Sequence, residues 1–304
     1  MSRVRLSDYC LNCIKDRQEQ LISKISDECI REKYRKDVEQ VIAERDANDC
    51  APMIVARLRA RYEAYTGTSD IYKEVKDKYN QLMLSLMDGI REKIEESADP
   101  LAQALMLARA GNFIDFGAMH EVNDTVMYRL LKEAEQLQPK QEIYEWFCSE
   151  LEKAEKMVFL TDNCGEIVLD ILLLEQIRKA YPELAVTVIV RGAPVLNDAT
   201  MEDARTVGLT EMQDIRVIDN GTAIAGTELS MISEEALQEM KTANVIISKG
   251  QGNFETLHGC GLNIFYLFLC KCDWFSMNLG LPKLSGVFEN ERVLVTYKDR
   301  EGLE

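Results

Sequence analysis

The chain of 304 residues is 46% hydrophobic and 29% charged, with a formal net charge of −16. That is enough apolar material for one large cored domain or two smaller ones. So acidic a chain lacks the clustered Lys and Arg that a phosphate backbone requires, which argues against a nucleic-acid partner. No run of about 18 apolar residues offers a membrane span, and "MSRVRLSDYC" has no apolar secretory region. A cytoplasmic location is therefore expected, with the nine scattered cysteines as free thiols.

Residues 1–150 read as an α-helical domain. In "IYKEVKDKYNQLMLSLMDGIREKIEES", Val75, Tyr79, Leu82, Leu86 and Ile90 recur at helical spacing with charges between them. "LAQALMLARAG" follows Pro100 and stops at Gly111, and "DTVMYRLLKEAEQL" offers Asp124 as an N-cap. Between them, "GNFIDFGAM" sets Asn112 and Asp115 among apolar residues, to cap helix ends or to reach toward a site in the second half.

The pattern changes over residues 151–304. Short runs rich in branched residues at 157–161, 185–190, 215–218, 244–248, 263–270 and 293–297 read as strands. Helical patterns separate the early ones: "EIVLDILLLEQIRKAY", "DATMEDARTVG" and "SEEALQEMKTA". Strand and helix alternating in this way predict a doubly wound, mainly parallel sheet, an α/β/α Rossmann-like domain behind the helical one.

In such a sheet, ligands bind beyond the carboxyl ends of the strands. There stand Asp162-Asn163-Cys164-Gly165-Glu166, then "RGAPVLND" ending at Asp198, then "SKGQGN" and Lys271-Cys272-Asp273. Asp162, Asn163 and Asp198 are oxygen donors that suit Mg²⁺ or Mn²⁺ better than zinc. Lys249 and Lys271 add positive charge, and Gly250 and Gly252 let backbone N–H groups approach an anion. Gly165 and Glu166 open a helix whose N-terminus also favours an anion. Taken singly, an Asp-Asn pair after a strand is an ordinary turn or cap. Together at successive strand ends, these residues describe a phosphate site, and metal-assisted hydrolysis of a phosphate ester is the expected reaction.

Other motifs carry less. "GQGNFE" lacks the third glycine of a dinucleotide fingerprint, and neither a Walker A loop nor GxSxG occurs. The two histidines, His120 and His258, are too few for a multi-histidine zinc site. Cys10 and Cys13 form a lone CxxC on one helix face, read as packing.

"CLNCIKDRQ", "GNFIDFG", "FLTDNCGE", "RGAPVLNDAT" and "SKGQGNFETL" together resemble the metal-dependent damage-control phosphatases, formerly the family of domain-of-unknown-function eighty-nine. The N-terminal CxxC is similar to its stand-alone microbial subfamily. The resemblance implies a divalent ion, with Co²⁺ or Ni²⁺ as further possibilities, held by Asp162, Asn163 and Asp198 in the crevice between the helical and α/β parts. It implies that Glu166 lines the substrate site, that Lys249 and Gly250 to Asn253 cradle phosphate, and that Lys271 adds a cationic contact. Arg191, Asn197, Asn112 and Asp115 complete the expected substrate contacts. Members hydrolyse small phosphometabolites, sugar phosphates or damaged intermediates among them. A carboxyl methyltransferase using S-adenosylmethionine and a non-catalytic phospholigand-binding module are the alternatives. The nucleophile is metal-activated water or the Asp162 carboxylate. Cys164 departs from the Ala or Ser usual in the motif.

Overall fold

The computed structural model describes residue 4, residues 6–115 and residues 124–294. Seven helices come first: α1 (Asp8–Ser23), α2 (Glu28–Ala43), α3 (Ala51–Thr66), α4 (Lys73–Glu96), α5 (Pro100–Gly111), α6 (Asp124–Ala134) and α7 (Gln141–Lys153). Polar side chains start several of them. Ser7 accepts the Cys10 N–H at the head of α1, Asp27 the Ile30 N–H at α2, and Asp99 the Ala102 N–H at α5.

Strands and helices then alternate: β1 (Lys156–Leu160), α8 (Glu166–Ala180), β2 (Ala185–Val190), α9 (Met201–Thr206), β3 (Ile215–Asp219), α10 (Glu234–Thr242), β4 (Val245–Lys249), α11 (Gln251–Leu257), β5 (Ile264–Leu269), α12 (Asp273–Leu279), β6 (Gly286–Asn290) and α13 (Glu291–Leu294). One six-stranded sheet runs β3-β2-β1-β4-β5-β6, parallel except for the β5–β6 pair. The strand expected at 293–297 is not found among the described residues. Val293 and Leu294 lie in α13, residues 295–297 fall outside the described residues, and the sixth strand is formed earlier, by "GVFEN".

Strand side chains alternate between two cores. Met157 and Phe159 face the layer of α4 to α9, whereas Val158 and Leu160 face that of α10 to α12. Both faces are covered, which is why the strands read as unbroken apolar runs. Helix α8 is buried nearly all round, with Ile167, Val168, Leu172, Leu173 and Leu174 among its core residues; each such burial contributes about 1.5–3 kcal/mol. The division at residue 150 does not coincide with a boundary between cores. Helices α4 to α7 share their core with the sheet, while α1 to α3 enclose one of their own around Ile14, Tyr34, Ile54 and Leu58.

Candidate active site

The strand order reverses between β1 and β4: β2 and β3 lie on one side, β5 and β6 on the other. Connections leaving in opposite directions open a crevice at the carboxyl ends of these two strands. Asp162 follows β1 there, and Gly250 follows β4. Gly250 has φ +79, and a Cβ on it would lie 2.0 Å from Asp162 Oδ2. Only glycine lets the β4 turn rest against that carboxylate. The segment after β2 folds back onto the β1 turn. Ala199 N–H donates to Asp162 O (2.7 Å) and Cys164 N–H to Asn197 O (2.8 Å), and Asn163 and Asp198 form an antiparallel bridge. Backbone bonds thus fix Asp198 beside Asp162.

Amides and cations surround these carboxylates. Asn112, at the end of α5, shares its Nδ2 between Asp162 Oδ2 (3.0 Å) and Glu166 (2.9 and 3.1 Å), and its Oδ1 accepts the Leu269 N–H at the end of β5. Asn163 Nδ2 donates to Asp162 Oδ2 (2.7 Å) and to Glu166 Oε2 (2.9 Å). With its NH₂ tied to two acids, the Oδ1 of Asn163 turns away, and it takes no hydrogen bond among the described residues. Arg191 Nε lies 2.6 Å from Asp198 Oδ2 and its Nη2 3.5 Å from Asp162 Oδ1; its Nη1 reaches Asn253 Oδ1 at 3.0 Å. Lys271 Nζ pairs with Asp115 at 2.6 Å. Asn197 Nδ2 holds the Ile114 carbonyl at 3.0 Å, tying the 112–115 turn to the site.

Charge does not balance here. Asp115, Asp162, Glu166, Asp170 and Asp198 are five buried carboxylates, against three buried cations, Lys249, Lys271 and Arg191. Burial pushes the Asp162 carboxyl well above the usual carboxylate range, and the neighbouring Asp198 and Glu166 push it further. Asp198 is pushed up to about 6 by burial, with Arg191 opposing. Among the described residues, no three His, Cys, Asp or Glu side chains converge to hold an ion by themselves. The expected donor set needs the Asn163 amide. Two oxygen-donor acids and an amide carbonyl beside an excess of two negative charges fit a hard divalent cation.

The description "Damage-control phosphatase ARMT1-like domain" matches residues 6–285. The chain belongs to this family. It is 30% identical to the damage-control phosphatase of Pyrococcus horikoshii over 279 residues, which cover 90% of this chain and 94% of that protein. It is 29% identical over 295 residues to a damage-control phosphatase of Archaeoglobus fulgidus, covering 91% and 96% of the two chains. A crystal structure of a duf89 family protein from P. horikoshii superposes with a TM-score of 0.78 at 28% identity, covering 94% of this chain and 99% of that one. The family that the quoted motifs resemble and the α/β fold expected for it are thus both found.

Most of the expected site residues converge on the crevice, but not all in the expected roles. Lys249 does not present its ammonium to a phosphate. Its Nζ is fully buried beneath the crevice, bonded to Glu166 (2.6 Å), the Ala108 carbonyl (3.0 Å) and Asp170, so all three protons are committed. Burial would lower its pKa, but Asp170 and Glu166 more than offset that and raise it. Gly252 faces the 225–226 turn rather than an anion, since a Cβ there would meet the Ala225 carbonyl at 2.0 Å. Arg191 and Asn253 serve chiefly each other, the acids and the backbone; Asn253 Nδ2 holds the Thr161 and Lys249 carbonyls. The Phe116–Met119 part of "GNFIDFGAM" and His120 lie outside the described residues. His258 is structural, stacked on Phe254 with Nδ1 3.2 Å from Glu291. The Cys164 thiol, 3.7 Å from the Asp198 carbonyl, is pushed well above its ordinary pKa by burial, with Asp203 adding to it, and remains a neutral spacer.

Asp170 was not among the expected residues. Its signal was present in "EIVLDILLL": a lone acid inside an apolar helical run needs a buried partner. Asn80 was missed as well; its Oδ1 accepts the Gly165 N–H (2.7 Å) and holds the turn that opens α8.

Proposed function

We propose that the chain is a phosphomonoesterase that works with a divalent ion, Mg²⁺ or Mn²⁺ foremost, on small phosphorylated metabolites such as sugar phosphates. The observation that carries this reading is the charge excess of the crevice: five buried carboxylates against three cations, arranged so that among the described residues Asp162 meets a cation only at 3.5 Å, from Arg191. Asp162, Asn163 and Asp198 would hold the ion, which supplies Lewis-acid polarisation of a phosphoryl oxygen when bound. Glu166 fixes the amides of Asn112 and Asn163 so that their N–H groups face Asp162 and the Asn163 carbonyl faces outward. Lys271 spends one bond on Asp115 and has two further N–H donors for the equatorial oxygens of the transferring phosphoryl group.

Asp162 Oδ2 already accepts two amide N–H groups and its Oδ1 lies toward Arg191. In this reading Asp162 is a ligand, and water attacks phosphorus in line with the departing alcohol. Rapid quenching with phosphorus-labelled substrate should then leave no label on the protein, and a trapped phospho-aspartate would overturn that assignment. An S-adenosylmethionine enzyme would need a glycine-rich turn after β1, where Asp162 and Asn163 stand instead. The test of the whole reading is phosphate release from a panel of sugar phosphates and nucleotides, after chelation and re-addition of single divalent ions. Turnover restored by Mg²⁺ or Mn²⁺, with Co²⁺ or Ni²⁺ as substitutes, is expected. Silence with every ion would leave only a binding module.

A further inference from the structure

A groove of about 280 Å³ lies at the open edge of the sheet, lined by β6, the end of α12, α13 and the last turn of α5. Its walls are mostly apolar, with Leu279, Leu281, Phe288 and Leu294 among them. Its cations are Arg109 and Lys140, and its acid is Glu289, which Lys140 already pairs at 2.7 Å. Arg109 is different. Its guanidinium lies flat on Gly286, where an added Cβ would meet Nε at 2.2 Å and Cζ at 2.4 Å. Among the described residues no carboxylate or carbonyl takes a hydrogen bond or ion pair from its side chain. Burial alone lowers its pKa, with no acid beside it to oppose the shift. A half-buried guanidinium set against apolar walls, with no acid beside it among the described residues, is placed to take an anion. In a chain of net charge −16 this pocket has the opposite local sign.

We propose that this groove is a second ligand site, taking a carboxylate or phosphate group borne on an apolar body. The anion sits on Arg109, and the body lies against Leu279, Leu281 and Phe288. Gly286 pairs with Leu269, and β6 stands three strands from β1 in the sheet. At about 4.8 Å per strand, the site lies on the order of 14 Å from the β1 turn, so one sugar phosphate at Asp162 does not fill both. The two sites are nonetheless linked. Arg109 and Asn112 stand three residues apart, one over Gly286 and the other bonded to Leu269, its strand partner.

The test is calorimetric titration of the full-length protein with hexanoate, with acetate and hexanol as the two halves of the probe. Hexanoate should bind wild type and Asp162→Asn alike. Affinity should fall at least roughly tenfold in Arg109→Met, the scale of one lost charge-assisted bond. It should fall similarly in Gly286→Ala, which keeps the guanidinium but displaces it, and acetate and hexanol should each bind as weakly. No binding to wild type, undiminished binding to Arg109→Met and Gly286→Ala, or loss of binding in Asp162→Asn would each overturn the proposal. Steady-state kinetics check the separation of the two sites. The KM for a sugar phosphate should be unchanged in saturating hexanoate, and a competitive rise in KM would place hexanoate in the crevice and overturn the proposal.

Discussion

Replacing Lys249 by Met separates two roles for this residue. A phosphate ligand would affect KM and little else. A counter-ion would affect the fold, because Lys249 is fully buried and neutralises Glu166 and Asp170 while also holding the Ala108 carbonyl. Removing one partner of a buried ion pair costs about 3–5 kcal/mol, since the other charge is stranded. For a domain of this size that is a fall in Tm of roughly 5–15 °C. The loss has a pH signature. Burial already lifts Asp170 to about 7 even with Lys249 pulling it down, and without the lysine the carboxyl must rise further. A carboxyl raised in the folded state contributes its stability below the ordinary carboxylate range, and that stability is lost as pH rises through the folded value. The deficit of Lys249→Met relative to wild type should therefore be largest near about pH 8 and shrink toward about pH 5. Adding Asp170→Asn to the variant should recover part of the loss, because one stranded charge disappears. The assay is thermal denaturation across this pH range, with steady-state kinetics alongside. An unchanged Tm at the alkaline end with a raised KM would refute the counter-ion role and return Lys249 to the phosphate.

Three further outcomes follow from the same geometry. Gly250→Ala places a side chain at positive φ, at about 1–2 kcal/mol, and drives a methyl into Asp162; kcat should fall about a hundredfold or more, with circular dichroism unchanged. Asp162→Asn should abolish turnover, yet raise the Tm of chelator-treated protein near about pH 8 by removing a carboxylate whose ionisation burial and the neighbouring Asp198 make costly. Mg²⁺ binding should release protons below neutrality, because the acids of the site are raised in its absence, Asp198 to about 6. Calorimetry in buffers of different ionisation enthalpy measures this, and no buffer dependence near about pH 6 would count against the ligand set.

How much of this was legible in the sequence depended on whether the signal was local. β1, β2, β4 and β5 were readable because a strand covered on both faces is a nearly continuous apolar run, and the edge strand β3 through its branched residues Ile215, Val217 and Ile218. The sixth was not, because "GVFEN" is a short antiparallel edge with half-exposed positions, and the greasier 293–297 stretch outweighed it. The placement of Asp162, Asn163 and Asp198 beside one another at the strand ends was readable because position after a parallel strand is a local property with a spatial meaning. The role of Lys249 was not. It ends β4, but the direction of its side chain is set by α5 and α8, and its partner Asp170 is 79 residues away in sequence. That Arg109 has no acid or carbonyl partner among the described residues is likewise a tertiary fact, invisible in "ARAGN". The change of periodicity near residue 150 marks a change of secondary structure, while α4 to α7 pack into the core of the sheet.

The asparagines explain how the crevice tolerates its charge. Asn112 and Asn163 stand between Asp162 and Glu166 and donate N–H groups to both. An amide satisfies the lone pairs of two acids without cancelling either charge. A lysine at either position would satisfy the same carboxylates and also remove the deficit that the proposed divalent ion would fill. An aspartate would sharpen the repulsion with no donor to relieve it. Neutral donors are therefore the side chains that keep the pocket both folded and hungry for a cation. In the proposed reading they would also tie substrate to metal: with net charge −16 around it and two charges in excess within, the crevice would repel a phosphate until an ion is bound.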